Sequence, residues 1–237
     1  MGKLKFEELI VFENDNYIVI NKPPFVASLD DRNDEVNLLS LAKNYHPLAQ
    51  LCHRLDKETS GALAIAKSPE AYRSLSIQFE KREVIKEYHA VAEGIHNFKD
   101  LKIEAPIFSS GKGTVRIDHY RGKESTTTID TIKAFRAHTL LACFPHSGRM
   151  HQIRVHLAHQ QAPIIGDLVY GGHHFYLSSI KRNYHLKKGT EELPLIKRIA
   201  LHARYLKFKD MTGNDLSVNV EYPKDFSVLL KQLDKNI

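Results

Sequence analysis

Two polar clusters carry most of the chemistry-bearing side chains in this chain of 237 residues. The first is His53-Arg54-Leu55-Asp56-Lys57-Glu58-Thr59-Ser60-Gly61, the densest polar run, lying between Leu51 and the apolar stretch that starts at Ala62. It offers two carboxylates, two cations and two hydroxyls at close spacing, which is what nucleophilic or acid–base catalysis draws on. Taken alone, a loop of this composition reads as a solvated turn with a Thr/Ser hydrogen-bond network, because loops are polar by default. The second cluster is His146-Ser147-Gly148-Arg149-Met150-His151-Gln152-Ile153-Arg154-Val155-His156. Metal binding is disfavoured there. Helical histidine pairs that share a metal sit four apart, His151 and His156 are five apart, and no acidic third ligand is near. A Cys52-His53 nucleophile pair is also disfavoured, since neighbouring residues of an extended segment point to opposite sides.

The elements that must position these clusters follow from the apolar pattern. Ile10-Val11-Phe12 and Tyr17-Ile18-Val19-Ile20 read as a hairpin about the polar turn Glu13 to Asn16, and Asn21-Lys22-Pro23-Pro24 ends its second strand. Asn37 to Lys43 suggests a short helix. Ala62 to Ala66 reads as a buried strand directly after the first cluster. Ser68-Pro69 starts a helix with Tyr72, Leu75 and Phe79 on one stripe. Ile85 to Ala92, Thr114 to Ile117, Thr126 to Phe135 and Leu140 to Phe144 read as strands. The spacing of Ile153, Leu157 and Gln160 predicts a helix from Arg149 to Gln161. Leu201 to Phe208 and Leu216 to Val220 give the last strands, and Phe226 to Leu233 the last helix. Gly171 to Arg198 reads as a polar, irregular insertion. Strands and helices do not alternate regularly, so the expected class is α+β: a mixed, mainly antiparallel sheet with flanking helices and loops around a central basic catalytic cleft. The chain reads as a single domain, 1–237.

Composition narrows the class. Hydrophobic residues make up 42% and charged residues 26%, as in an ordinary soluble globular protein, and the net charge of +6 favours polyanionic partners. Two cysteines, Cys52 and Cys143, form no disulfide framework or paired metal spacing, which points to a reducing, cytoplasmic setting. No apolar run is long enough for a membrane span, and the N-terminus, acidic early, is not a signal peptide.

Several motifs occur in order along the chain: Asn21-Lys22-Pro23, the whole first cluster, Lys86-Glu87-Tyr88, Gly148 to Ala158, Gly166-Asp167 with Tyr170-Gly171, and Leu201-His202-Ala203. Together they resemble the RluA-type family of RNA pseudouridine synthases from about Leu9 to the C-terminus. The resemblance implies an enzyme that isomerises uridine to pseudouridine in ribosomal or transfer RNA, with no cofactor and no metal. It marks Asp56 as the nucleophile or base. Tyr88 matches the tyrosine that packs on the target base, Arg154 the arginine that pairs with the aspartate, and Arg54 the residue that holds the flipped-out RNA. His53, Thr59, Arg149, His151 and Gln152, in the same motifs, are candidate substrate or RNA contacts. Lys123 joins them from the loop Ser109 to Ser125, which also holds Lys112, Arg116 and Arg121 and reads either as a mobile RNA-gripping hairpin or as a flexible surface hairpin with no contact.

The chemistry supports this assignment of roles. The reaction breaks the bond between uracil N1 and ribose C1′, turns the base, and joins C5 to C1′. A carboxylate can assist by covalent attack or by taking a proton from C2′, and the residues leave both routes open. In a closed site a carboxylate stays ionised only beside a fixed cation, and arginine binds it with two parallel hydrogen bonds. A flat aromatic face holds the loose base. Two departures stand out: Pro24 follows Pro23 where the family has glycine, and only about eight residues precede the first strand, leaving recognition to the catalytic domain, acting as a monomer. Two other functions remain open: a catalytically silent RNA-binding protein, and a glycoside hydrolase using Asp56 with Glu58 or Glu87 as second carboxylate.

Overall fold

The computed structural model describes residues 4–29, 37–111, 113–181, 184–186 and 189–236. In chain order its strands and α-helices are β1 (Ile10–Glu13), β2 (Tyr17–Lys22), α1 (Leu38–Tyr45), β3 (Gln50–Leu51), β4 (Ser60–Ala66), α2 (Pro69–Glu80), β5 (Ile85–Glu93), β6 (Leu101–Glu104), β7 (Ile107–Ser109), β8 (Val115–Ile117), β9 (Thr126–Ala134), β10 (His138–Pro145), α3 (Gln152–His159), β11 (Leu201–Lys209), β12 (Asp215–Asn219) and α4 (Lys224–Lys235). This is the expected α+β class with mainly antiparallel pairing. The chain divides into two compact units, Met1–Glu87 with His202–Glu221 and Tyr88–Leu201 with Tyr222–Ile237.

The first unit is built on β4. All seven of its residues are buried, so both faces of the strand are covered, as its unbroken apolar run demands. It pairs antiparallel with β2 and β3 and parallel with β11 at His202↔Ser60 and Ala203↔Gly61. β12 pairs antiparallel with β11. The core gathers Tyr17, Val19, Ala62, Ala64, Leu75, Leu206 and Phe208. Local signals act as expected. The Asn14 side chain accepts from the Asn16 and Tyr17 N–H groups in the β1–β2 turn. Asn37 caps α1 with a reciprocal bond from Ser40, and the Ser68 hydroxyl accepts from Ala71 N–H ahead of Pro69.

The second unit orders its strands β5-β10-β9-β6, all antiparallel, with β7 and β8 as a separate hairpin. Its core includes Val91, Ile129, Leu141, Leu157, Ile165, Phe226 and Leu229. Two expectations need correction. α3 begins at Gln152 rather than Arg149, because His151 adopts a left-handed conformation (φ 51°) that cannot continue backward as helix, and the Gln152 side chain takes up the Arg149 N–H instead. Gly171 to Arg198 is irregular over its described residues, but it is not a mere excursion. Phe175 and Ile196 enter the core, and the fully buried Arg198 forks onto Asp225 (2.7 and 3.0 Å) while donating to the Ile199 and Leu201 carbonyls.

Candidate active site

In the first unit, the loop carrying Asp56 is clamped from several sides. Lys22 closes β2 and is fully buried, and its ammonium donates to the carbonyls of Pro23 (3.0 Å), Lys57 (3.0 Å) and Thr59 (2.8 Å). The Ser28 hydroxyl donates to Leu55 O (2.8 Å) and accepts from Leu55 N–H (3.2 Å). Phe25 N–H donates to Lys57 O (2.8 Å), and Thr59 N–H closes a turn onto Asp56 O (3.0 Å). The Thr-Ser-Gly end of the motif is fixed by β11. Ser60 Oγ lies 2.9 Å from Nδ1 of buried His202, whose Nε2 faces Val220 O at 3.4 Å; a neutral imidazole with its hydrogen on Nε2 satisfies both. Gly61 has φ +119°, and a Cβ there would stand 2.2 Å from Ala203 O, so only glycine fits. Lys22-Pro23, Thr59-Ser60-Gly61 and His202-Ala203, distant in sequence, are thus one mechanical unit around Asp56.

Within that loop Asp56 is half-buried, Arg54 is exposed and Thr59 is buried. The Thr59 hydroxyl has no hydrogen-bond partner among the described residues. His53 is engaged by the fold. Its Nε2 accepts from Ala64 N–H (2.9 Å), its ring lies 4.7 Å from that of Phe79, and burial, then the charge of Lys86, pushes its pKa down to about 3. Lys86 is itself pushed down to about 8 by burial and then by Arg82. Burial pushes the Cys52 thiol up to about 12, which keeps it a thiol at neutral pH and removes it as a nucleophile.

In the second unit, α3 supplies Arg154 from a position 8% exposed. Its Nε and one terminal nitrogen fork onto the two oxygens of Asp167, each at 2.7 Å, and the guanidinium lies 5.0 Å from the centre of the Tyr170 ring. That fork takes two of the five N–H donors of an arginine. The Tyr170 hydroxyl accepts from Val115 N–H of β8 (3.0 Å) and lies 2.9 Å from His151 Nδ1. Tyr170 therefore links the β7–β8 hairpin, the start of α3 and the arginine. Gln152 is saturated: its carbonyl oxygen accepts from Ser147 Oγ and Arg149 N–H, and its amide donates to Thr126 O and Thr127 Oγ1. Arg149 donates from Nε to Glu124 O (3.3 Å). Tyr88 pairs with Cys143 across β5 and β10 and packs half-buried on the core. Lys123 exchanges backbone bonds with Ile107 and its side chain is exposed.

Each unit gathers its own set: Asp56 with Arg54 and Thr59 in the first, Arg154 with His151, Gln152, Asp167 and Tyr170 in the second. Asp56 and Arg154 thus stand in different units. Sequence reasoning gave no role to Lys22, Asp167, Tyr170 or His202, although the motifs that contain them were the available signal. Among the described residues no group of three or more His, Cys, Asp or Glu could hold a metal ion, and no helix is long and apolar enough to cross a membrane.

Residues 16–159 match the family model described as RNA pseudouridylate synthase, and the chain belongs to this family. Its activity is the isomerisation of uridine to pseudouridine in RNA, and the glycoside hydrolase reading is closed. Among particular proteins it is similar to ribosomal large subunit pseudouridine synthase D of Vibrio cholerae, 38% identical over 229 residues, covering 91% of this chain and 68% of the relative. The protein of the same name from Buchnera aphidicola is 32% identical over 233 residues, covering 94% and 73%. The solved structure of human RNA Pseudouridylate Synthase Domain Containing 1 aligns with a TM-score of 0.70 at 27% identity, covering 94% of this chain and 87% of that one.

Proposed function

We propose that this chain, working as one catalytic domain and as a cytoplasmic monomer, makes pseudouridine in large-subunit ribosomal RNA, with Asp56, Tyr88 and Arg154 as its catalytic residues. The observation that carries this is the clamp on the Asp56 loop. A buried lysine, a strand-crossing serine–histidine bond and a glycine with no room for a side chain all hold the loop that carries one half-buried carboxylate. Such pre-organisation is wasted on a solvated turn and is what a positioned nucleophile or base needs. It also weighs against a silent RNA-binding protein.

In this reading Asp56 assists cleavage of the N1–C1′ bond, the freed uracil turns against the Tyr88 ring, and C5 joins C1′ while the C5 hydrogen is lost and N1 gains one. Arg154, oriented by its fork onto Asp167 and its stack on Tyr170, is the fixed cation of the reaction. Arg54 holds the displaced RNA, and His53 fixes its neighbour's backbone through Ala64. Thr59 acts from within the clamp, its N–H closing the turn onto Asp56 O.

RNA backbone contacts come from the β7–β8 hairpin together with Arg149 and His151. Arg116 and Arg121 both donate to the Asp118 carboxylate and flank the Phe108 ring at 5.1 and 4.7 Å, so two guanidiniums are held ready with most of their donors outward. Tyr120 at the turn is 98% exposed. Lys123 adds charge at its base; Lys112 lies outside the described residues. Relatives of similar sequence are named for the large ribosomal subunit, which supports the choice of RNA. The test is a pseudouridine map of ribosomal and transfer RNA from wild-type and deletion strains. Loss of one or more sites is expected; an unchanged rRNA map with lost sites in transfer RNA would overturn the choice of target.

A further inference from the structure

Phe25, in the turn after β2, combines three features that the fold does not need. Its φ is 66°, a left-handed conformation that bulky L residues rarely adopt and glycine adopts freely. Its side chain is 49% exposed, so the ring is not there to fill a core. Among the described residues it stacks on no other aromatic ring. The residue is nonetheless tied to the reaction loop. Its N–H donates to the carbonyl of Lys57, the residue after Asp56, and that carbonyl also accepts from the buried Lys22 ammonium. The backbone strain and the wetted apolar face persist because the loop holds the turn, and strain of this kind gathers at ligand clamps. The cations nearest in sequence to that anchor, Arg54 and Lys57, are exposed.

An exposed aromatic side chain whose backbone is bonded to the loop that carries Asp56, a loop that also carries two exposed cations, suits a nucleobase with its phosphates. We propose that Phe25 is a stacking surface for an unpaired RNA base neighbouring the target uridine, so that it contributes to choosing which uridine is presented. The inference rests on Asp56 being the reacting carboxylate.

The test compares Phe25→Gly and Phe25→Trp with the wild type. The substrate is total RNA labelled with [5-3H]uridine from cells lacking this protein, which contains the target whatever it is; tritium release reports turnover. Phe25→Gly removes the ring and relieves the strain, so the unfolding midpoint stays within about 3 °C of wild type. Its kcat/KM falls roughly 5- to 150-fold, the loss expected for one base–aromatic stack, and chiefly through KM. Phe25→Trp keeps a stacking face and stays close to the wild-type rate. Unchanged kcat/KM in Phe25→Gly would overturn the proposal, as would equal impairment of both variants. No tritium release by the wild type would instead overturn the reading of the reaction site, and this inference with it.

Discussion

Replacing Lys22 with methionine probes the clamp most sharply. Methionine keeps the stem length and apolar volume but deletes an ammonium that donates to three carbonyls, those of Pro23, Lys57 and Thr59, at 2.8–3.0 Å in a fully buried position. A buried acceptor stripped of its donor costs ~1–3 kcal/mol. The Lys57 carbonyl keeps its bond from Phe25 N–H, so two carbonyls, those of Pro23 and Thr59, are stripped. Taking the low end for each, because the cost of burying the charge is removed at the same time, the variant loses about 2 kcal/mol of the ~5–15 kcal/mol that holds a typical domain together. For a chain of this size that lowers the midpoint by roughly 4–8 °C. The freed Thr59 carbonyl and the weakened hold on Lys57 bracket the Asp56 turn, and a displacement near 1 Å there reduces turnover about 100-fold. Urea unfolding followed by circular dichroism gives the first quantity; tritium release from [5-3H]uridine-labelled RNA, well below the variant's midpoint, gives the second. A stability within about 0.5 kcal/mol of wild type would refute the energetic argument. A destabilised variant with normal turnover would leave Lys22 a residue of the fold and not one that positions Asp56.

Asp167→Asn leaves the buried Arg154 with half of its carboxylate fork and no counter-charge from it; a loss of ~3–5 kcal/mol in urea unfolding is expected, with turnover falling in the fraction that remains folded. Tyr170→Phe keeps the ring under Arg154 but removes the hydroxyl joining Val115 and His151, so kcat should fall more than RNA affinity, as steady-state kinetics would show. His53, His138 and His156 all have their pKa lowered by burial. The unfolded chain therefore binds more protons below about pH 6.5, and stability drops as pH falls from 7 to 5 by up to about 1.4 kcal/mol per pH unit for each histidine; His53→Gln should flatten its share in urea titrations. Arg121→Ala should lower the slope of log affinity against log salt by about one in filter-binding assays, since one phosphate contact is lost.

Much of the fold was legible because local chemistry and tertiary packing agree. The Ser68-Pro69 start of α2, the short helix expected from Asn37 to Lys43 and the buried run Ala62 to Ala66 all appear close to where they were read. What escaped was set by distant partners. β3 has two residues and exists through its pairing with β4, and β6 alternates apolar and polar over only four residues, too short a run to announce a strand without its pairing to β9. The start of α3 was misplaced by the left-handed His151, which its residue type does not announce. Asp56 was marked by the family pattern rather than by its loop, which reads as solvated. Its supports were hidden for physical reasons. Lysine is almost never fully buried, so Lys22 reads as surface until its three carbonyls are seen. Asp167, thirteen residues beyond Arg154, gives no sign in sequence that it forks onto that arginine.

The account turns on Asp56, and the direct measurement is a pseudouridine map of a deletion strain carrying either the wild-type chain or Asp56→Asn at equal, folded abundance. Asparagine keeps the size of the side chain and removes its capacity to attack or to take a proton. The wild-type chain should restore the missing pseudouridines and Asp56→Asn should restore none. Restoration by Asp56→Asn at near-normal levels would contradict the account.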